Sequence, residues 1–96
     1  MRKGYWIVSV DVLDQDAFGE YAARTPVALA KFGGRFLCRA GAYEVGEGKA
    51  RSRNSIIEFP TYQDALSCWN SSEYQEARSY RIGAAEIDIV IVEGCE

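Results

Sequence analysis

Apolar and polar positions alternate from Gly4 to Val12, with Trp6, Val8, Val10 and Val12 on one side and Tyr5, Ile7, Ser9 and Asp11 on the other. A period of two predicts a strand with one face against a core. The spacing then changes. Phe18, Tyr21, Ala22, Thr25, Leu29 and Phe32 recur at helical intervals, after Asp14 or Asp16 as an N-cap and before Gly33-Gly34 as a stop. Pro26 falls inside this run and is expected to break or kink the helix near Arg24–Thr25, since it has no N–H and crowds the preceding turn. Arg35–Val45 reads as a second strand, with Phe36, Cys38, Ala40 and Ala42 on its apolar side and Leu37, Arg39 and Tyr43 opposite. Gly46-Glu47-Gly48 marks a turn, and Ser52–Phe59 reads as a third strand ended by Pro60. Thr61, with Asp64 three residues on, predicts a helix start carrying Ala65, Leu66 and Trp69. Asn70-Ser71-Ser72 interrupts that helix, and Ser72 with Gln75 predicts a second segment through Tyr74, Ala77, Arg78 and Arg81. Ala85–Glu93 closes the chain as a strand, Ile87, Ile89 and Ile91 facing one way and Asp88, Val90 and Val92 the other.

The order β-α-β-β-α-β predicts an α+β, ferredoxin-like domain: an antiparallel sheet in strand order 4-1-3-2, with both helical segments on one face. At 96 residues the chain has room for one domain, residues 1–96. The sheet's other face is mixed. Ile7, Leu37, Ile56, Val90 and Val92 stand among Ser9, Asp11, Arg39, Asn54, Glu58 and Asp88. Aliphatics gathered on one open face mark an interface, and two sheets packed face to face in a homodimer would cover them. A hairpin turn around Gly46–Lys49 is expected to set Arg39 opposite Glu58 as a cross-strand pair on that face.

Composition removes several kinds of chemistry. The hydrophobic fraction is 48% and the charged fraction 26%, which is ordinary for a globular domain. The net charge is −3 and the pI about 5.0, so a duplex nucleic acid is not an expected partner. Lys49, Arg51 and Arg53 form the one basic cluster and read as a solvated loop and strand edge. No apolar run approaches the ~20 residues of a membrane span, and no secretory leader is expected at the N-terminus. The cysteines are Cys38, Cys68 and Cys95, an odd count without a CxxC, which fits a reduced cytoplasmic protein. Cys38 and Cys68 are expected to be buried and Cys95 exposed. Histidine is absent, which excludes Ser-His-Asp and Cys-His catalysis and histidine-based metal centres. No metal site and no cofactor are expected, and any acid–base step falls to Asp, Glu, Tyr, Lys or Cys.

The candidate ligand-binding residues are Tyr21, Arg39, Glu58, Trp69, Tyr74 and Arg81. Glu58 sits late in a central strand, where burial would raise its pKa and make it either a general base or half of an ion pair. Arg39 and Arg81 suit an anion, or a carboxylate such as Glu58 or Asp88. Tyr21 and Tyr74 lie on helical faces and serve either as core with a bonded hydroxyl or as pocket groups. Trp69 is core or pocket wall. Two functions fit: a binder of a small metabolite in each subunit, or a cofactor-free enzyme of monooxygenase or isomerase type that uses Glu58 with a tyrosine and an arginine.

The chain as a whole resembles one family. The shared segments are Gly4-Tyr5-Trp6, Tyr21, Lys31-Phe32-Gly33-Gly34-Arg35-Phe36, Ile57-Glu58-Phe59-Pro60, Ala65, Trp69, Ser72-Glu73-Tyr74-Gln75, Arg81 and Val90-Ile91-Val92-Glu93-Gly94. It is a bacterial family of small proteins known only as a domain of unknown function. It sits in the dimeric α+β-barrel superfamily beside cofactor-free monooxygenases, muconolactone-isomerase-like enzymes and stress-induced barrels. The resemblance implies the ferredoxin-like fold and a homodimer, and no particular reaction.

Overall fold

The computed structural model describes residues 1–95. β1 (Gly4–Val12) leads into α1 (Gln15–Ala30), β2 (Arg35–Arg39), β3 (Arg53–Phe59), α2 (Tyr62–Trp69), α3 (Ser72–Ser79) and β4 (Ala85–Glu93). The four strands form one antiparallel sheet in the order β2-β3-β1-β4, the predicted order read from the other edge. The helices cover one face, so the domain is the α+β, ferredoxin-like arrangement expected.

Local chemistry explains the element ends. The Asp14 carboxylate accepts from the Asp16 and Ala17 N–H groups at 3.1 and 3.2 Å and starts α1. Gly33, at φ 75°, turns the chain out of α1. The Thr61 hydroxyl accepts from the Asp64 N–H at 3.0 Å and starts α2. The break at Asn70 is present. Ser71, rather than Ser72, caps α3 through the Tyr74 N–H at 3.1 Å, and the Gln75 amide donates to the Trp69 carbonyl at 2.7 Å.

The predicted break at Pro26 does not occur: α1 is one helix with Pro26 inside it. Proline removes the hydrogen bond to the carbonyl four residues back, that of Ala22. The Arg39 guanidinium supplies the missing donor, its Nη2 reaching the Ala22 carbonyl at 3.0 Å. One turn earlier the Thr25 hydroxyl donates to the Tyr21 carbonyl at 2.8 Å. Side chains thus carry the turn through the proline.

β2 is shorter than predicted and its register differs. Arg35 faces Glu58 and Phe36 faces Ile57, but Cys38 faces Ile56, so Leu37 is a bulged extra residue. The bulge reverses which side the following residues occupy. Cys38 lies on the open face and is exposed, against expectation, whereas Arg39, opposite Ser55, lies on the helix-covered face. Ala40, at φ 51°, then ends the strand with its N–H on the Asn54 carbonyl and the Ser55 hydroxyl, both at 3.0 Å.

The core lies between sheet and helices. Trp6, Phe59, Leu29, Tyr74, Ala65 and Cys68 are fully or almost fully enclosed. The Trp6 indole N–H, buried with its ring, donates to the Ala65 carbonyl at 3.0 Å, so the bulkiest core residue leaves no orphaned donor. On the other face, a row of Cys38, Ile56, Ile7 and Val90 runs across all four strands. Ile7 is 42%, Leu37 49%, Val90 59% and Val92 42% exposed. Polar rows flank it, Asn54–Ser9–Asp88 on one side and Arg35–Glu58–Tyr5 on the other.

Candidate functional site

A cleft of about 50 Å³ opens between α1 and the β2–β3 edge of the sheet, on the helix-covered face. Val8, Val10 and Ile57 form its floor, and Phe18 and Phe36 its walls. Tyr21, Thr25 and Ser55 add three hydroxyls, and Arg39 and Arg53 add two guanidinium groups. The floor follows from β1 and β3 alternation, because Val8 and Val10 face Ser55 and Arg53 across the strand pair. Arg39 belongs to the cleft only because the bulge at Leu37 turned it inward.

The electrostatics of this lining are one-sided. It holds two cations and no carboxylate, in a chain whose net charge is −3. Among the described residues neither Arg39 nor Arg53 forms an ion pair. Each instead lies over a phenyl ring, Arg39 4.5 Å from the Phe36 centroid and Arg53 5.5 Å from that of Phe18. These contacts hold the guanidinium groups beside the rings while leaving most of their N–H donors free.

Behind the cleft wall lies a buried polar chain. The Tyr21 and Tyr74 hydroxyls are 2.8 Å apart, and the Arg81 Nη2 donates to the Tyr74 hydroxyl at 3.2 Å. The Arg81 guanidinium also lies 5.0 Å from the Tyr21 ring centroid. Arg81 is 7% exposed, and its Nε has no partner among the described residues. Burial pushes the Tyr74 phenol above its usual pKa, the neighbouring Tyr21 adds to the rise, and Arg81 offsets only part of it. Trp69 packs on the same cluster, 5.4 Å from Tyr74 and 6.0 Å from Trp6, centroid to centroid.

Of the six candidates, the structure gathers Tyr21, Tyr74, Arg81 and Trp69 into one cluster and brings Tyr21 and Arg39 to one cleft. Glu58 lies elsewhere. It faces the open side of the sheet, bonded to Arg35 at 3.0 and 3.1 Å, to the Tyr5 hydroxyl at 3.3 Å, and 3.7 Å from Lys3. The expected Arg39–Glu58 pair therefore does not form, because the two side chains leave the sheet on opposite faces. The expected rise in the Glu58 pKa is reversed as well. Desolvation does push it up, but the Arg35 hydrogen bonds, the Lys3 and Arg35 charges and the Tyr5 hydroxyl together hold it below the ordinary value.

Sequence reasoning missed Arg53, Phe18, Thr25, Phe36 and Ser55 as cleft residues. Arg53 carried a usable signal. It shares strand parity with Ile57 and Phe59, so it lies on the helix-covered face and not on a solvated edge. Among the described residues no group of three His, Cys, Asp or Glu side chains gathers as a set of metal ligands.

This geometry can be set beside known proteins. The model of a family described as a domain of unknown function, DUF1330, matches residues 3–95. The chain belongs to this family. No curated protein matches it. Among solved structures, a protein of unknown function from Rhodopseudomonas palustris is similar at a TM-score of 0.76 and 14% identity, over 99% of this chain and 84% of that one. SnoaB, a cofactor-independent oxygenase from Streptomyces nogalater, is similar at a TM-score of 0.65 and 9% identity, over 100% of this chain and 96% of that one. A putative antibiotic biosynthesis monooxygenase from Nitrosomonas europaea is similar at a TM-score of 0.60 and 15% identity, over 97% of this chain and 90% of that one. At these identities the likeness establishes the fold alone, the ferredoxin-like α+β arrangement described above.

Proposed function

We propose that this DUF1330 protein is a homodimer that binds a small metabolite in the cleft of each subunit. The observation that carries the reading is the cleft itself, an apolar floor beneath two guanidinium groups that no carboxylate neutralises. The dimer is supported by the aliphatic row across the open face. Four strands of up to nine residues give a face of roughly 20 by 30 Å, on the order of 600 Å² before side-chain relief. A standard interface buries about 800 Å² per partner, so a second copy of this sheet is a matching cover. The chain's free cysteines suit a reducing, cytoplasmic setting, and among the described residues no helix is long and apolar enough to cross a membrane.

A second reading, a cofactor-free enzyme, draws support from the Tyr21–Tyr74–Arg81 chain, since Tyr21 both lines the cleft and joins that chain. In such an enzyme Tyr21 would be the acid–base group in place of Glu58, which lies on the other side of the sheet.

Native mass spectrometry of the purified protein is the test. Two chains of 10.7 kDa carrying a small molecule in each are expected. Ser55→Trp, which fills the cleft, is expected to lose the small molecule and keep the dimer. A wild-type protein that neither retains nor is stabilised by any member of a metabolite library beyond the filled variant would overturn the binding reading. A monomer at micromolar concentration would overturn the dimer.

A further inference from the structure

Resting on the cleft as a ligand site, we infer that it selects a small monocarboxylate with a short apolar body, clamped between Arg39 and Arg53, and that Pro26 is a positioning residue for this recognition.

Three observations combine. The first is charge. Arg2, Arg24, Arg35 and Arg51 all pair with carboxylates and Arg78 and Arg81 bond to neutral side chains, whereas Arg39 and Arg53 have no side-chain hydrogen-bond or ion-pair partner among the described residues. Their Cα atoms occupy diagonal positions on β2 and β3, because Arg39 faces Ser55 and Arg53 lies two residues before it. Diagonal neighbours stand roughly 7–8 Å apart, a span that long arginine side chains close around one carboxylate. Planar forked donors match the two oxygens of a carboxylate.

The second is size. A cavity of about 50 Å³ holds a few water-sized groups, at roughly 10–15 Å³ for each. Its floor of Val8, Val10 and Ile57 offers no hydrogen bond from a side chain. An apolar fragment of a few heavy atoms fits inside, with its charged end at the mouth.

The third is the proline. An ordinary residue at position 26 would donate its N–H to the Ala22 carbonyl and compete for it with any side-chain donor. Pro26 cannot, and Arg39 takes that carbonyl at 3.0 Å. One N–H of the guanidinium is thereby fixed while the others remain free. A side chain held in its binding geometry loses less freedom when the ligand arrives, which favours affinity. A proline inside a helix, ordinarily destabilising, gains a reason at this position.

The experiment titrates isotope-labelled protein with 3-methylbutanoate and with its neutral amide, following backbone amide resonances and, separately, the melting temperature. Saturable shifts at Tyr21, Thr25 and Phe36 are expected with the carboxylate. The neutral amide and the Arg53→Gln variant are each expected to bind roughly tenfold more weakly, the size of a lost charge-assisted hydrogen bond. Pro26→Ala restores a competing helical N–H, loosens the hold on Arg39, and is expected to weaken the carboxylate about fivefold with a melting temperature equal or higher. Unchanged affinity in Pro26→Ala would overturn the positioning role, and so would weaker binding joined to a lower melting temperature, which is general damage. Equal binding of the neutral amide would overturn the carboxylate class and leave the cleft standing as a ligand site. Failure of both probes to bind would also overturn the class, while the cleft itself is judged by the molecule that the purified dimer retains.

Discussion

Replacing Tyr74 by phenylalanine removes one oxygen from the centre of the buried polar chain, and the consequence can be worked from the contacts. The Tyr74 hydroxyl accepts from Arg81 at 3.2 Å and shares a 2.8 Å hydrogen bond with Tyr21. Its loss leaves a guanidinium that is 7% exposed, with its Nε already unpartnered, deprived of that acceptor. A hydrogen bond to a charged group contributes about 1.5–3 kcal/mol and a neutral one about 1 kcal/mol. Tyr74→Phe is thus expected to cost about 3 kcal/mol. In a domain of this size each kcal/mol moves the melting temperature by roughly 4–8 °C, so a fall of roughly 15 °C is expected. Arg81→Met behaves differently. It removes the buried charge together with its desolvation penalty and leaves the two hydroxyls bonded to each other, so about 1 kcal/mol or less is expected. In the double variant the stranded charge is gone, and the two changes should couple by about 1–2 kcal/mol. Urea unfolding at one fixed protein concentration measures all four proteins, which holds constant the contribution of the proposed dimer. Costs that simply add, or a Tyr74→Phe penalty under about 1 kcal/mol, would refute the idea that this hydroxyl neutralises the isolation of Arg81.

Other parts of the molecule give further expectations. A Cβ on Gly4 would lie 2.6 Å from the Thr61 carbonyl oxygen and 2.7 Å from the Tyr62 Cα, both backbone atoms, so Gly4→Ala should cost about 2 kcal/mol or more by denaturant melt. Gly41→Ala, with open space around it, should be close to neutral in the same melt. Glu58 has its pKa lowered in the fold. Its contribution is therefore complete above the ordinary value of 4.5 and is lost as pH falls through the lower folded value. Glu58→Gln should flatten the acid limb of the stability profile and leave its neutral region little changed in shape; an unaltered acid limb would contradict this. Burial pushes the Cys68 thiol up to about 12, while Cys38 and Cys95 are exposed. A thiol reagent at neutral pH should label Cys95 quickly, label Cys38 more slowly where a second sheet covers the open face, and reach Cys68 only on unfolding.

The sequence by itself determined the order of elements, the sheet and the faces of three strands, because periods of two and 3.6 are written in consecutive residues. Trp6, Val8 and Val10 point to the core as their alternation requires, and so do Ile87, Ile89 and Ile91. Asp14 and Thr61 cap helices where their short polar side chains predict it. The aliphatics Ile7, Val90 and Val92 stand on the open face as read from parity. What happens at β2 is decided by tertiary structure. A bulge inserts one residue without any mark in the alternation of Phe36, Leu37 and Cys38, and it reverses every side chain after it. Arg39 moves from the face of Glu58 to the cleft, and there it meets the one carbonyl that Pro26 leaves free. Neither the proline nor the arginine alone reveals this: one signals a break and the other a cross-strand partner for Glu58. Only the bond from Arg39 to the Ala22 carbonyl, across 17 positions of chain, shows that a helix keeps its course and a cleft acquires its cation. The burial of Arg81 is of the same kind. From sequence Arg81 suits an anion or a carboxylate partner, and only the packing of Tyr21 and Tyr74 around it removes it from water and gives it a phenol instead.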